Sequence, residues 1–507
     1  MTLALTGLVG AALAVPAIGA ALIALAGRRP NLRETVTLLT ALSLASCVLG
    51  VLGPVLDGAR PALVLTEVLP GLSLSLRVEP LGMLFALVAS GLWIVNSLYS
   101  IGYMRANGEA NQTRFFVCFA LALSATMGIA FAGNLFTLFV FYEVLTLVTY
   151  PLVTHHGTDK ARQGGRVYLG LLMGTSIVLL LPALVAVWFI AGTTEFTPGG
   201  VLDGKLGHGG MAALLALCMF GIGKAALMPV HRWLPAAMVA PTPVSALLHA
   251  VAVVKAGVFS VVKVIVYIFG PQSLAGAGLN GAADWLVVVA GFTIVCASVV
   301  ALGADNLKRR LAYSTVSQLS YVVMAAALLA PWSLVGAAMH IAAHAVGKIT
   351  LFFAAGAIYT AAHKTEVSQL DGIGRRMPWT MAAFSIAALS MIGLPPAAGF
   401  ISKWYLLSGA MAAEHWLAVA VIAASTLLNA GYFLPIVYRA FFMPENAATA
   451  ADPDAGHGHG DHAADQHGHG EAPWIMVVAL TTTAAMTVLL FFLPDLPLAL
   501  ARQMLSG

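Results

Sequence analysis

Five lysines and one glutamate lie inside apolar stretches of this chain, and residues of that kind in that setting can carry charge. Lys224 sits in LLALCMFGIGKAALMPVHRWLP, Lys255, Lys263, Lys348 and Lys403 sit in comparable runs, and Glu143 sits in AGNLFTLFVFYEVLTLVTYPLV. A charge at mid-membrane costs about 2.5–3.5 kcal/mol on insertion scales, so such residues persist with a partner, a water path or a task. A lysine that is neutral part of the time can pass protons, and a row of them predicts a proton or ion path. Glu143 is the one acid of 21 that reads as deep in a span, and Lys224 is its expected partner. Each would alter the other's proton affinity; a static salt bridge between two helices is the alternative. HIAAHAVGKITLFF sets His340, His344 and Lys348 at i, i+4 and i+8 of one helix face. LLHAVAVVKAGVFSVVKV sets His249 ahead of Lys255 and Lys263. Histidine titrates near neutrality. A single buried histidine is usually a packing residue, but two stretches that each combine histidine with lysine point to a relay. AYSTVSQLSY adds Ser314, Thr315, Ser317 and Gln318, which can hold water or bond helix to helix.

The elements carrying these residues are membrane helices. The 507 residues are 60% hydrophobic and 9% charged, against about 25% charged in a soluble domain. Runs of about 20 apolar residues give fourteen candidate spans between residues 3 and 497, and their length excludes membrane-barrel strands. The first span lacks a basic n-region and is read as a membrane helix rather than a cleaved signal. With the N-terminus outside, sixteen of the 25 lysines and arginines fall in inside loops, four (Arg60, Arg77, Lys205, Arg502) fall outside, and five are intramembrane. That asymmetry is what short cytoplasmic loops show, and it predicts both termini on the outer side. The net charge of +4 follows from topology and asks for no nucleic acid.

Two spans are interrupted at similar places in the two halves. Gly221, Gly223, Pro229 and Pro235 break the first around Lys224, and Pro395, Pro396 and Gly399 break the second just before Lys403. Proline removes a backbone donor, and a break inside a membrane is tolerated where protein or water satisfies the freed groups. Paired interruptions point to an inverted-repeat transporter with a site near the midplane. Cys47, Cys118, Cys218 and Cys296 lie singly in separate spans without metal-ligand spacing. No phosphate loop, flavin fingerprint or nucleophile elbow occurs, so no cofactor and no bond-making active site are expected.

FYEVLTLVTYPLV, GKAALMPVHRWLPAAMVAPTPVSALLHA, AYSTVSQLSY, HIAAHAVGKITLFFAAGAIY and GLPPAAGFISKWYLL resemble the signature segments of the antiporter-like proton-pumping subunits. These belong to respiratory complex I, membrane-bound hydrogenases and Mrp multisubunit Na+/H+ antiporters. The resemblance covers roughly residues 79–442. It implies an all-α polytopic membrane protein of about 14 transmembrane helices, with two inverted five-helix repeats, spans 4–8 and 9–13, each holding a broken helix and a half-channel. Residue by residue, it implies Glu143 and Lys224 as the charge pair, Lys255 as the central lysine and Lys403 as the terminal lysine of the second broken helix. His340, His344 and Lys348 match the eleventh-helix relay. Length, a lysine at position 403 and the lack of a long C-terminal lateral helix resemble the MrpD type most; His249 resembles the larger complex I subunit and the MrpA type.

The expected organisation is 1–112 for three N-terminal helices, 113–270 and 271–443 for the repeats, 444–472 for a cytoplasmic loop, and 473–507 for the last helix. That loop carries His457, His459, His462, His467 and His469; its composition predicts disorder, with zinc or nickel binding or proton buffering as further readings. The expected function is proton conduction in a monovalent cation (Na+)/proton antiporter complex of a bacterial cell membrane, through Glu143, Lys224, Lys255, Lys348, Lys403, His249, His340 and His344, with helix breaks at Pro229, Pro395 and Pro396. The expected partners are other membrane subunits, protons and Na+. A proton-pumping component of a complex I-type oxidoreductase or hydrogenase, and a membrane scaffold with fixed salt bridges, are the rival readings.

Overall fold

The computed structural model describes residues 2–276, 281–445 and 470–506. Its helices, each an apolar run that satisfies its own backbone as a bilayer requires, are α1 (Thr2–Leu25), α2 (Pro30–Leu56), α3 (Pro80–Ala106), α4 (Gln112–Ala130), α5 (Leu135–Val153), α6 (Asp159–Ala191), α7 (His208–Gly221), α8 (Thr242–Phe269), α9 (Asp284–Gly303), α10 (Leu307–Ala327), α11 (Pro331–Ala362), α12 (Pro378–Ile392), α13 (Ala398–Ala412), α14 (Trp416–Phe442), α15 (Trp474–Phe492) and α16 (Asp495–Ser506). Among the described residues, eleven helices are long and apolar enough to cross a membrane. The other three expected spans coincide with the interrupted α7 segment, the polar α10, and α12 with α13. The five histidines of the 444–472 loop lie outside the described residues.

Two strands, β1 (Ala62–Leu69) and β2 (Leu72–Arg77), pair antiparallel between α2 and α3, an element that the apolar-run reading does not contain. They mark one end of the bundle, the hairpin face, shared with the 131–134, 192–207 and 270–276 segments. At the opposite face lie the 26–29, 107–111, 154–158, 303–306 and 363–377 connections. The sixteen basic residues assigned to inside loops lie towards that opposite face.

The core is built around α8 and α11, whose apolar windows are buried throughout. α11 packs against α3, α8, α10, α12, α13 and α15, so the intramembrane lysines and histidines of both helices are shielded from lipid. The two halves carry one joint twice. Asn134 caps α5 by accepting from Thr137 N and donates to Glu195, 61 residues on. Asn306 caps α10 by accepting from Arg309 N and donates to Glu366, 60 residues on. Each pair also forms an isolated antiparallel bridge. The first joint lies on the hairpin face and the second on the opposite face, the relation of an inverted repeat.

Candidate functional site

The first interruption begins where α7 ends at Gly221. A single 3-10 turn, Gly223–Ala225, and Ala226 at φ +55° follow, so Lys224 leaves the helix cylinder. Its backbone N–H donates to Tyr142 Oη at 2.9 Å, and Nζ donates to the Tyr142 carbonyl at 2.8 Å and Thr146 Oγ1 at 2.6 Å. The Tyr142 ring centroid lies 3.2 Å from Nζ, so the ring's negative face completes the cation's cage. Gly257 of α8 lets this loop seat against α8: a Cβ there would meet the backbone of Lys224 and Ala225.

Glu143 makes no direct pair with Lys224. No ion pair joins them within 4.0 Å, and both Glu143 carboxylate oxygens are buried without a hydrogen-bond partner. The reason is helical geometry: Lys224 binds the Tyr142/Thr146 face of α5, and Glu143 lies about 100° round the helix from Tyr142. Glu143 instead faces Ser176 of the π-turn in α6 and interacts with Lys224 electrostatically at longer range.

In the second interruption α12 ends at Ile392, Gly393 takes φ +92°, and Pro395 and Pro396 bring the chain to the start of α13. Pro229 stands in the corresponding part of the first break. Gly399 abuts the Ser390 carbonyl, where a Cβ would collide. Lys403 Nζ reaches back to the Met391 and Ile392 carbonyls at 2.9 and 3.0 Å. These carbonyls lie at a helix C-terminus, where intrahelical partners run out, at the negative end of its dipole.

Between the breaks runs a buried polar line. Lys255 Nζ on α8 lies 2.5 Å from His344 Nδ1 on α11. The His344 and His340 ring centroids are 5.9 Å apart. His340 bonds Ser402 Oγ at 2.9 Å and Gln318 Oε1 at 3.0 Å, with donor and acceptor set by its tautomer. Gln318 Nε2 donates to the Met391 carbonyl at 3.2 Å, the same oxygen that Lys403 uses. Lys348 branches away from this line: Nζ donates to Ser314 Oγ at 2.8 Å, and Ser314 contacts Tyr432, itself bonded to Asn429. The His249 ring lies tilted against Phe352, centroids 4.6 Å apart, with both ring nitrogens unpartnered. Of the AYSTVSQLSY residues, Gln318 joins the polar line and Ser314 the Lys348 branch. Ser317 bonds Ser298 of α9, and Thr315 bonds back to Leu311, both as structural bonds.

Glu143 is not the only deep acid. Glu79, in the residue before α3, is 6% exposed and pairs with fully buried Lys263 at 3.1 Å. Glu34 is also buried, bonded to Arg105. Lys263 therefore has a counter-charge within ion-pair distance, unlike the other intramembrane lysines. Sequence reading misses Glu79 because it borders an apolar run, where charges are ordinary.

At the end of α8 opposite the hairpin, a cavity of about 750 Å³ is lined by Tyr103, Glu109, His156, Thr242, Lys308 and Lys364 among others. Lys308 Nζ donates to the Ala240 carbonyl at 2.6 Å. Glu109 lies between two histidines, 3.3 Å from His156 and 3.7 Å from His155. Its hydrogen bond raises the His156 pKa, while burial lowers that of His155. Thr242 on the cavity wall and His249 lie two turns apart on α8, which directs the cavity toward the polar line.

A family model described as NADH:quinone oxidoreductase/Mrp antiporter, transmembrane, matches residues 132–429. NADH-quinone oxidoreductase subunit N of Desulforudis audaxviator is 33% identical over 391 residues, 76% of each chain. The A/B subunit of a probable K(+)/H(+) antiporter of Rhizobium meliloti is 34% identical over 339 residues, 66% of this chain and 32% of that protein; against it, the chain spans about a third of the relative's length. A chain of the Mrp complex from Dietzia sp. DQ12-45-1b has the same fold, with TM-score 0.85 at 23% identity over 100% of this chain and 97% of that one.

Proposed function

Because the chain belongs to the NADH:quinone oxidoreductase/Mrp antiporter transmembrane family, we propose that it is the proton-conducting membrane subunit of a monovalent cation/proton antiporter complex, exchanging Na+, with the MrpD type its nearest subtype. The observation that carries this reading is the buried line from Lys255 through His344, His340 and Gln318 to the carbonyl that holds Lys403. A static scaffold has no use for it. Among the described residues, Lys224, Lys255, Lys348 and Lys403 lack an acid within ion-pair distance, and unpaired buried charge is costly; an amine that alternates between charged and neutral forms avoids that cost.

In this mechanism a proton enters through the cavity beside Lys308 and passes His249 to Lys255. Lys255 hands it to His344, and His340 with Gln318 and Ser402 leads it to Lys403. Lys224 loads in parallel, with Glu143 acting as a distant counter-charge whose field rises and falls with the neighbouring protons. Lys348 and Ser314 stabilise charge beside the line. Residues 113–270 and 271–443 form the two working repeats. The cavity face is cytoplasmic, as its basic loops favour, both termini are outside, the membrane is the bacterial cell membrane, and other membrane subunits complete the complex.

A second reading is favoured by the relative that matches three quarters of both lengths, a quinone oxidoreductase component: the same line driven by electron transfer in partner subunits. The test uses everted vesicles carrying the whole gene cluster, with and without Lys224→Ala, and assembly checked by blotting. Collapse of the acid-inside gradient on Na+ addition, lost in Lys224→Ala, supports the antiporter. No Na+ response, with NADH- or hydrogen-driven pumping that needs Lys224, gives the oxidoreductase reading. Transport intact in an assembled Lys224→Ala complex rejects both.

A further inference from the structure

The mechanism leaves one of the five intramembrane lysines unused. Lys263 lies two turns beyond Lys255 on α8, about 12 Å along the axis at 1.5 Å per residue, towards the hairpin face. Its Nζ bonds the Ala132 carbonyl at 2.7 Å and pairs with Glu79 Oε2 at 3.1 Å. Phe196, 1% exposed, covers it with its ring centroid 4.4 Å away. On the other side of Phe196, Arg77 donates to the Phe196 carbonyl at 3.4 Å and pairs with Glu195 at 3.5 Å, both side chains 39% exposed. Arg77 and Glu195 are also the remaining charges that Lys263 feels. Charged groups thus follow one another from Lys255 to the buried Glu79–Lys263 pair and then to the half-exposed Arg77–Glu195 pair, and Phe196 touches both pairs, its ring over Lys263 and its carbonyl accepting from Arg77.

We propose that Glu79 and Lys263 form an outlet gate by which the first half of the chain releases protons on the hairpin face. The inference rests on the proton-conducting reading above. In each cycle the Lys263 ammonium gives a proton to the Glu79 carboxylate: one N–H bond breaks, one O–H bond forms, and the ion pair becomes a neutral pair. Neutral partners no longer hold each other electrostatically. Phe196 swings aside, Glu79 releases the proton to water beside Arg77 and Glu195, and the neutral Lys263 amine takes the next proton from the Lys255 side of α8, relayed by water across the intervening distance of about 12 Å. Arginine at 263 keeps the charge and the pair but cannot deprotonate, so it separates a gate from a brace.

Proton flux is measured in vesicles holding the full complex for wild type, Lys263→Arg, Glu79→Leu/Lys263→Met and Lys224→Ala, each normalised to assembled protein. An apolar replacement of a buried ion pair is often tolerated by the fold, so the double variant is expected to assemble. Flux in Lys263→Arg and in the double variant is expected to fall at least about tenfold, one proton-transfer step being lost. Wild-type flux in assembled Lys263→Arg overturns the gate and leaves a brace, even if the double variant fails to assemble. Loss in Lys224→Ala with wild-type flux in Lys263→Arg rejects the gate alone. Wild-type flux in Lys224→Ala rejects the proton-conducting reading beneath it.

Discussion

Thr146→Val is the sharpest probe of how Lys224 holds its charge. Two oxygens accept from Nζ, the Tyr142 carbonyl at 2.8 Å and Thr146 Oγ1 at 2.6 Å. Valine keeps the β-branched shape and volume and removes only the hydroxyl, so the ammonium keeps one hydrogen bond and the tyrosine ring. A hydrogen bond to a charged group contributes about 1.5–3 kcal/mol. At about 1.36 kcal/mol per tenfold, charged Lys224 becomes roughly ten- to a hundredfold rarer. If each proton that passes requires charge at this position, initial flux falls by the same factor. The assay is the initial rate of cation-driven pH change in vesicles, with Thr146→Ser as the control that restores the acceptor. Wild-type flux in Thr146→Val, beside an inactive Lys224→Ala, would show that the ammonium is held elsewhere during transport and refute the cage.

Gln318→Leu removes both the His340 partner and the donor to the carbonyl shared with Lys403. Flux is expected to fall about tenfold, and Gln318→Leu/Lys403→Met is expected to lose no more than Lys403→Met alone, because both lie on one line; additive losses would place them on separate paths. At the cavity, Glu109→Gln removes the anion that favours charge on His155 and His156. The folded pKa of His156 is raised, so its contribution is present below the ordinary value of about 6.5 and fades as pH rises through the folded pKa. The variant should therefore lose more thermal stability at pH 6 than at pH 8, by about 0.5–1 kcal/mol after allowing for the half-exposed ring. Equal losses at both pH values, read from melting in detergent, would remove Glu109 from that role.

The intramembrane lysines and the Gly/Pro breaks are legible in the sequence because each violates a strong expectation of an apolar helix. What holds the lysines is not legible. The acceptors at Tyr142, Met391, Ile392 and Leu311 are backbone carbonyls, which every residue has. The Lys255–His344 contact joins positions 89 apart, beyond any helical period. Glu143 looks like a contact partner of Lys224 when residue type alone is weighed; its angle around α5 turns it away. Glu79 hides at a span boundary, whereas α10 is legible as a span although its hydroxyl-rich face, buried among neighbouring helices, keeps it out of the eleven most apolar helices. The hairpin between α2 and α3 escapes a search for long apolar runs because its strands are only eight and six residues long.

The 2.5 Å contact between Lys255 and His344 joins the two halves, and on the proposed proton path it sets how traffic between them is metered. Two nitrogens that close have room for one hydrogen between them. While Lys255 points a hydrogen at His344, that histidine nitrogen must offer a lone pair; after the hand-over the roles reverse, and nothing more crosses until His344 is emptied from the far side. The joint therefore works as a turnstile. It admits single units, whatever the driving force, so stronger gradients raise the frequency of passage and leave its step size at one.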